Sequence, residues 1–282
     1  MVVDVDFKIE GFRTYAKKFI DLYVSGANKC NLPVDRENLE SIVDNAEIIG
    51  YKSEGSGTFS VNREKISVIT NNFEKNGVDR ANFLLLHEFS HLNNPISLEL
   101  YSNQADLYQQ FKKRAEGFDN PDVNGLNAYY GFVAIDEVLS QWVCEEINDV
   151  QNNKHRGVHS YEVGPLGSNV KYEADFSVYD GKPDVYSPLE RFGEAFIRSL
   201  GYRDIRSFAE NTLGTEKKIS ERINDKAFEI MCYIGIICKA IYKEEKFEEN
   251  VSVTKEDVER AFDWLNRNVD FGENGGSVKE IE

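Results

Sequence analysis

Residues Leu84 to Asn94 read LLLHEFSHLNN, and this stretch constrains the chain more than any other. His87 and His91 are four apart with Glu88 beside the first, and the flanking Phe83, Leu84, Leu85, Leu86, Phe89, Ser90 and Leu92 carry no charge. An uncharged run of this kind is read as a helix seated in a protein interior, covering about Asp79 to Asn93. Asn94-Pro95 should end it, because the residue before proline avoids helical dihedrals. Residues four apart share a helix face, so both imidazoles can reach into the same space. Burying them with a glutamate and no cation would carry a serious desolvation cost.

The spacing H-E-x-x-H suits one chemistry well. His87 and His91 can each present a ring nitrogen to a single metal ion, while Glu88, one residue round the helix, lies beside the ion and can act as general base on a zinc-bound water. This is a known motif of metalloproteases, with a known mechanism. A chance occurrence in a chain of this length is on the order of one in a hundred, so context has to decide. The bland alternative is a pair of ordinary helix histidines with satisfied hydrogen bonds.

Two helical histidines make half a site, because catalytic zinc usually has three protein ligands and an open position. The metzincin subclass places a glycine three residues and a histidine six residues after the second histidine. Those positions here are Asn94 and Ser97, which excludes it. A glutamate from a later helix is the other common solution, and the long apolar segment GLNAYYGFVAIDEVLSQWVCEEINDV carries Asp136 and Glu137 among Phe132, Val133, Ile135, Val138, Leu139 and Trp142. Interior carboxylates are normally paired or on a metal. By helical geometry Asp136 falls nearer the centre of the apolar face than Glu137, and either could close the site.

At this point the chain resembles the gluzincins, the thermolysin-like class of zinc metallopeptidases, over about Thr58 to Glu146. That class carries H-E-x-x-H on one helix and a ligand glutamate on a later one, in a pattern similar to Asn-Glu-x-x-x-Asp. The matching run is Asp136-Glu137-Val138-Leu139-Ser140-Gln141. The resemblance implies zinc held by His87, His91 and Glu137, with Glu88 catalytic. It also implies a hydrogen bond to a zinc histidine from the last position of the pattern, which is the uncharged Gln141 here, with Asp136 a second candidate for that supporting role. Peptide or protein would be the substrate, bound by β-addition along the strand at Ile66 to Thr70 or Thr58 to Val61. His159 and Tyr161 are candidates for stabilising the oxyanion, with Tyr172, Tyr179 and Tyr186 equally open. The alternative function is regulatory: a related fold that binds metal and a partner with little turnover.

The expected fold is α+β and predominantly helical: a zincin-like core, a small β-hairpin or sheet before the H-E-x-x-H helix, and a helical C-terminal part. Phe12, Tyr15, Phe19, Leu22 and Tyr23 recur at helical spacing, and a second helix follows from about Asp35 to Ala46. Residues 1–78 hold these helices and the hairpin, and 79–150 hold the active-site helices. Residues 151–271 combine a loop-rich excursion with three helical pieces, near Leu189 to Leu200, Ser220 to Tyr242 and Lys255 to Asn268. A single domain over 1–271 with a flexible tail at 272–282 is the organisation expected.

With 41% hydrophobic and 29% charged residues in 282, the chain has the composition of a folded globular protein. Its net charge of −16 opposes attraction to phosphate backbones and anionic lipid, so neither nucleic acid nor membrane is an expected partner. The start lacks the basic and then apolar pattern of an export signal, which makes a cytoplasmic location the expectation. Cys30, Cys144, Cys232 and Cys238 form no close-spaced pair and are expected to be reduced and buried.

Overall fold

The computed structural model describes residues 5–45, 47–51, 59–61, 65–69, 86–152, 157–163, 170–176, 189–215, 217–244 and 252–269. In chain order these form α1 (Val5–Lys29), α2 (Arg36–Asn45), β1 (Glu47–Tyr51), β2 (Phe59–Val61), β3 (Lys65–Ile69) and α3, described over 86–93. Then come α4 (Pro95–Ser102), α5 (Gln104–Ala115), α6 (Gly125–Asn152), β4 (Gly157–Val163) and β5 (Val170–Phe176). The last elements are α7 (Glu190–Ser199), α8 (Ile205–Thr212), a 3-10 turn (Ser220–Arg222), α9 (Asp225–Glu244) and α10 (Lys255–Asn268). The chain divides into two compact units: Met1–Tyr101, Ser140–Lys154 and Ala209–Lys217 form one, and Ser102–Leu139, His155–Phe208 and Lys218–Glu282 the other. Helix α6 is continuous and supplies residues to both.

In the first unit, α1 buries Ala16, Phe19, Ile20, Tyr23 and Ala27 at helical spacing. Leu22 lies off that stripe and is 44% exposed, although its spacing had suggested a place on the buried face. Helix α2 buries Leu39, Ile42 and Val43. Helix α3 gives way to α4 at Asn94, whose side-chain oxygen accepts the Ile96 backbone N–H at 3.0 Å. Asn94 is thus an N-cap followed by proline at the first helical position, where the missing N–H costs nothing. The helix of the histidines therefore stops at Asn94 as expected, and a new helix starts at Pro95.

The second unit is built on close approach of α6 and α9. A Cβ on Gly131 would stand 1.8 Å from the Met231 carbonyl oxygen, and one on Gly235 would stand 1.8 Å from that of Asn127. The two backbones therefore touch, which only glycine allows. Phe111 of α5 packs against Phe132 of α6 at 5.5 Å and Phe228 of α9 at 6.0 Å. Lys239, buried on α9, donates to the Asn127 side-chain oxygen at 3.0 Å. Helix α10 begins at a reciprocal Thr254–Asp257 capping box and stacks Trp264 on Tyr233 at 4.1 Å.

The α+β class expected from sequence is corrected. Of the residues whose packing is described, 80% are helical and none lies on a strand. The strands are short and pair among themselves, in a sheet ordered β1-β3-β2 and a separate β4-β5 ladder. Pairing β1–β3 is parallel and β2–β3 antiparallel, so of the two strands named for substrate addition β3 is bonded on both sides and β2 stands at an edge of the sheet. Helix α3 rests on α1, as its aromatic contacts show below.

The 151–190 excursion contains a fully registered antiparallel pair of seven-residue strands, Gly157 opposite Phe176 through Val163 opposite Val170. Helix α8 was not anticipated, and the tail at 272–282 lies outside the described residues. All four cysteines are free and buried. Among the described residues no helix is long and apolar enough to cross a membrane.

The glycine contact leads to a thermal-melting test. Gly235→Ala should destabilise the chain by about 3 kcal/mol or more, since the obstruction is backbone and cannot rotate away. Gly117→Ala meets its nearest atom at 3.5 Å and should cost little. Equal melting temperatures for the two variants would contradict the packing described.

Candidate metal centre

The seat of α3 explains where its histidines point. Leu86, Phe89 and Leu92 are almost wholly buried, and Phe89 packs on Phe19 at 5.7 Å and edge-on to Tyr23 at 6.0 Å. At about 100° per residue His87 and His91 fall on the side of the helix away from Phe89. Tyr23 is fully buried against α3, near Ser90 and Asn93, and burial pushes its phenol well above the ordinary range.

The end of α3 is tied down by one residue. Asn93 accepts the Asp35 backbone N–H at 3.1 Å, donates to the Pro33 carbonyl at 2.8 Å, and through its own carbonyl accepts the Gly214 N–H at 2.8 Å. Gly214 has φ of +63° and no room for a Cβ, which would lie 2.9 Å from the Asp35 nitrogen. Helix α3 is thereby fixed to two loops at once.

On the side away from Phe89 the two rings approach edge to face, with centroids 4.7 Å apart and Nε2 atoms 3.1 Å apart. Two nitrogens on one tetrahedral zinc ion, each at about 2.0–2.1 Å, would be about 3.3 Å apart. The observed separation fits a single N–H···N hydrogen bond and lies close to that metal-bound spacing. Glu137 completes the group: the ligand atoms of His87, His91 and Glu137 all lie within 4.8 Å of one another. Two imidazoles and a carboxylate suit zinc and other first-row divalent ions.

Burial grades across the site. His91 is 3% exposed, whereas His87, Glu88 and Glu137 are half-buried. Asp136, the rival acid, is 2% exposed and not in the cluster. Gln141 does not meet the histidines in any bond described; its amide donates to Glu145 Oε1 at 2.7 Å. Glu145 is itself buried. His159 and Tyr161 lie on β4, opposite Ala174 and Tyr172, and Tyr179, Tyr186 and His155 lie outside the described residues.

Two residues that sequence reasoning did not place in the site surround the inner histidine. His91 Nδ1 lies 3.1 Å from Ser97 Oγ and 3.0 Å from Ser140 Oγ, and Asn94 Nδ2 donates to Ser140 Oγ at 3.2 Å. Ser140 could have been found: it follows Glu137 by three residues, one turn along the same face. Ser97 occupies the position where the metzincin pattern carries its third histidine.

Comparison with family models, with curated proteins and with solved structures gives no match to this chain.

Replacing Asn93 by Ala leaves a backbone donor and a backbone acceptor without their partner. The loss of stability expected is about 2–4 kcal/mol, read from urea unfolding. A variant as stable as wild type would mean that α3 is not held in the way described.

Proposed function

We propose that the chain is a zinc-dependent metallopeptidase, an endopeptidase in which His87, His91 and Glu137 hold the ion and Glu88 is the general base. The observation that carries the reading is the 3.1 Å convergence of the two Nε2 atoms with a carboxylate from α6 in reach. Three protein donors leave a fourth position open, as catalytic zinc requires and structural zinc does not. The choice of zinc among first-row divalent ions rests on the gluzincin resemblance of H-E-x-x-H and the later glutamate. When bound it would lower the pKa of water and polarise the carbonyl to be attacked.

The chain's own groups supply the rest. Glu88 is next to His87 and half-buried, so its carboxylate can take the proton of the attacking water and pass it to the leaving amine. His91 forms the buried root of the site, and the half-buried His87 and Glu137 leave its outer side accessible to a polypeptide. Peptide as substrate rests on the gluzincin resemblance of H-E-x-x-H and Asp136-Glu137.

Metal analysis of the purified chain should find one zinc ion per molecule, removed by chelator and restored by added zinc. On a peptide library, Glu88→Gln should lose about 10²–10⁴-fold in cleavage rate while keeping its zinc. Cleavage by Glu88→Gln at the wild-type rate would remove the assignment of the base. Zinc present with no cleavage by either protein would favour a binding or regulatory role instead.

A further inference from the structure

We propose that Ser97 and Ser140 are the positioning residues of this metal centre, holding His91 with its proton on Nδ1 so that the Nε2 lone pair faces the ion. The inference rests on the metal-centre reading above and concerns groups that the H-E-x-x-H pattern does not specify. Both serines are fully buried, and their hydroxyl oxygens lie 3.1 and 3.0 Å from Nδ1 of a ring that is itself 3% exposed. They come from different elements, the first turn of α4 and the middle of α6, so they fix the ring plane from two directions.

The proton count favours hydroxyls in this place. Without an ion, Nε2 atoms 3.1 Å apart share one hydrogen, which sits on either His87 or His91. With an ion, neither Nε2 can carry hydrogen, so a neutral His91 must carry its proton on Nδ1. A carboxylate beside Nδ1 could only accept. A hydroxyl has one donor hydrogen and two lone pairs and serves either tautomer by rotating. Asn94 fills one lone pair of Ser140 and leaves the other for Nδ1–H. The metal-free and metal-loaded rings can then occupy one geometry, with only hydrogens moving.

This arrangement also separates Ser140 from its neighbour. Gln141, the residue that the family pattern would place on a zinc histidine, has its amide on Glu145. The orienting role is thus displaced by one residue along α6 and shared with α4.

The test uses the full chain and zinc affinity measured by competition with a chromophoric chelator, with cobalt(II) absorption as a report on ligand geometry. Ser97→Ala and Ser140→Ala should each weaken zinc about 10-fold and the double variant up to about 100-fold, while Ser140→Thr, which keeps the hydroxyl, should bind close to wild type. Gln141→Ala should leave affinity unchanged. A folded double variant that binds zinc like wild type, or a Gln141→Ala loss equal to that of Ser140→Ala, overturns the proposal. Should the double variant not fold, the single variants decide: weakened zinc binding by Ser97→Ala and Ser140→Ala with recovery in Ser140→Thr supports the assignment, and wild-type affinity in both alanine variants overturns it. A wild-type chain that takes up neither zinc nor cobalt ends the metal-centre reading itself. Uptake by wild type with an unresponsive double variant ends only the serine role.

Discussion

Burying His91 to 3% exposure takes both of its ring nitrogens out of water, and a buried polar atom without a partner costs free energy that no apolar contact nearby restores. The surrounding structure is arranged around that requirement. Nδ1 meets two hydroxyls from α4 and α6, and Nε2 meets His87. For α4 to present Ser97 there, the chain must restart a helix directly after α3, which Asn94 and Pro95 accomplish by capping. For α3 to present the ring at all, Phe89 must be locked against Phe19 and Tyr23, and Asn93 must be tied to the loops at 33–35 and 214.

The long helix α6 adds the second constraint. It delivers Glu137 and Ser140 one turn apart on a single rigid element, so the proposed ligand and the proposed positioning hydroxyl keep a fixed spacing. Sites built on helices hold their geometry better than sites built on loops, and here each of the described groups argued to touch or orient the ion is helical. That placement also explains why the strands have no part in the argument: a helical body can hold this constellation without a sheet beneath it.

Much of the site was legible from residue types and spacing, because a histidine pair four apart on an uncharged run determines where both rings point. The class of the fold was less legible. Alternation in GTFSVNREKISVIT marks strand-prone residues, but a local pattern carries no information on what the strands pack against. The apolar stripe of α1, which seats α3, read as merely one more amphipathic segment. Long-range hydrogen bonds were the least legible, since the link between Ser140 and His91 spans 49 residues and neither serine differs in type from many surface serines. Gln141 drew attention only because a family pattern pointed at it.

The choice between Asp136 and Glu137 turns on where a working metal site must sit relative to the core. Helical geometry places Asp136 nearer the centre of the apolar face of α6, and it is indeed the more buried, at 2% exposure. If burial alone selected the ligand, Asp136 would be chosen. An ion that acts on a polypeptide must be reachable, so only its innermost donor can be wholly enclosed while the others stand at the margin. In the proposed site His91 would fill the enclosed position, and His87, Glu88 and Glu137 share the half-buried margin. On that proposal the acid nearer the edge of the apolar face is the one able to bond an ion that still has an open side, and the acid at the centre of the face belongs to the interior.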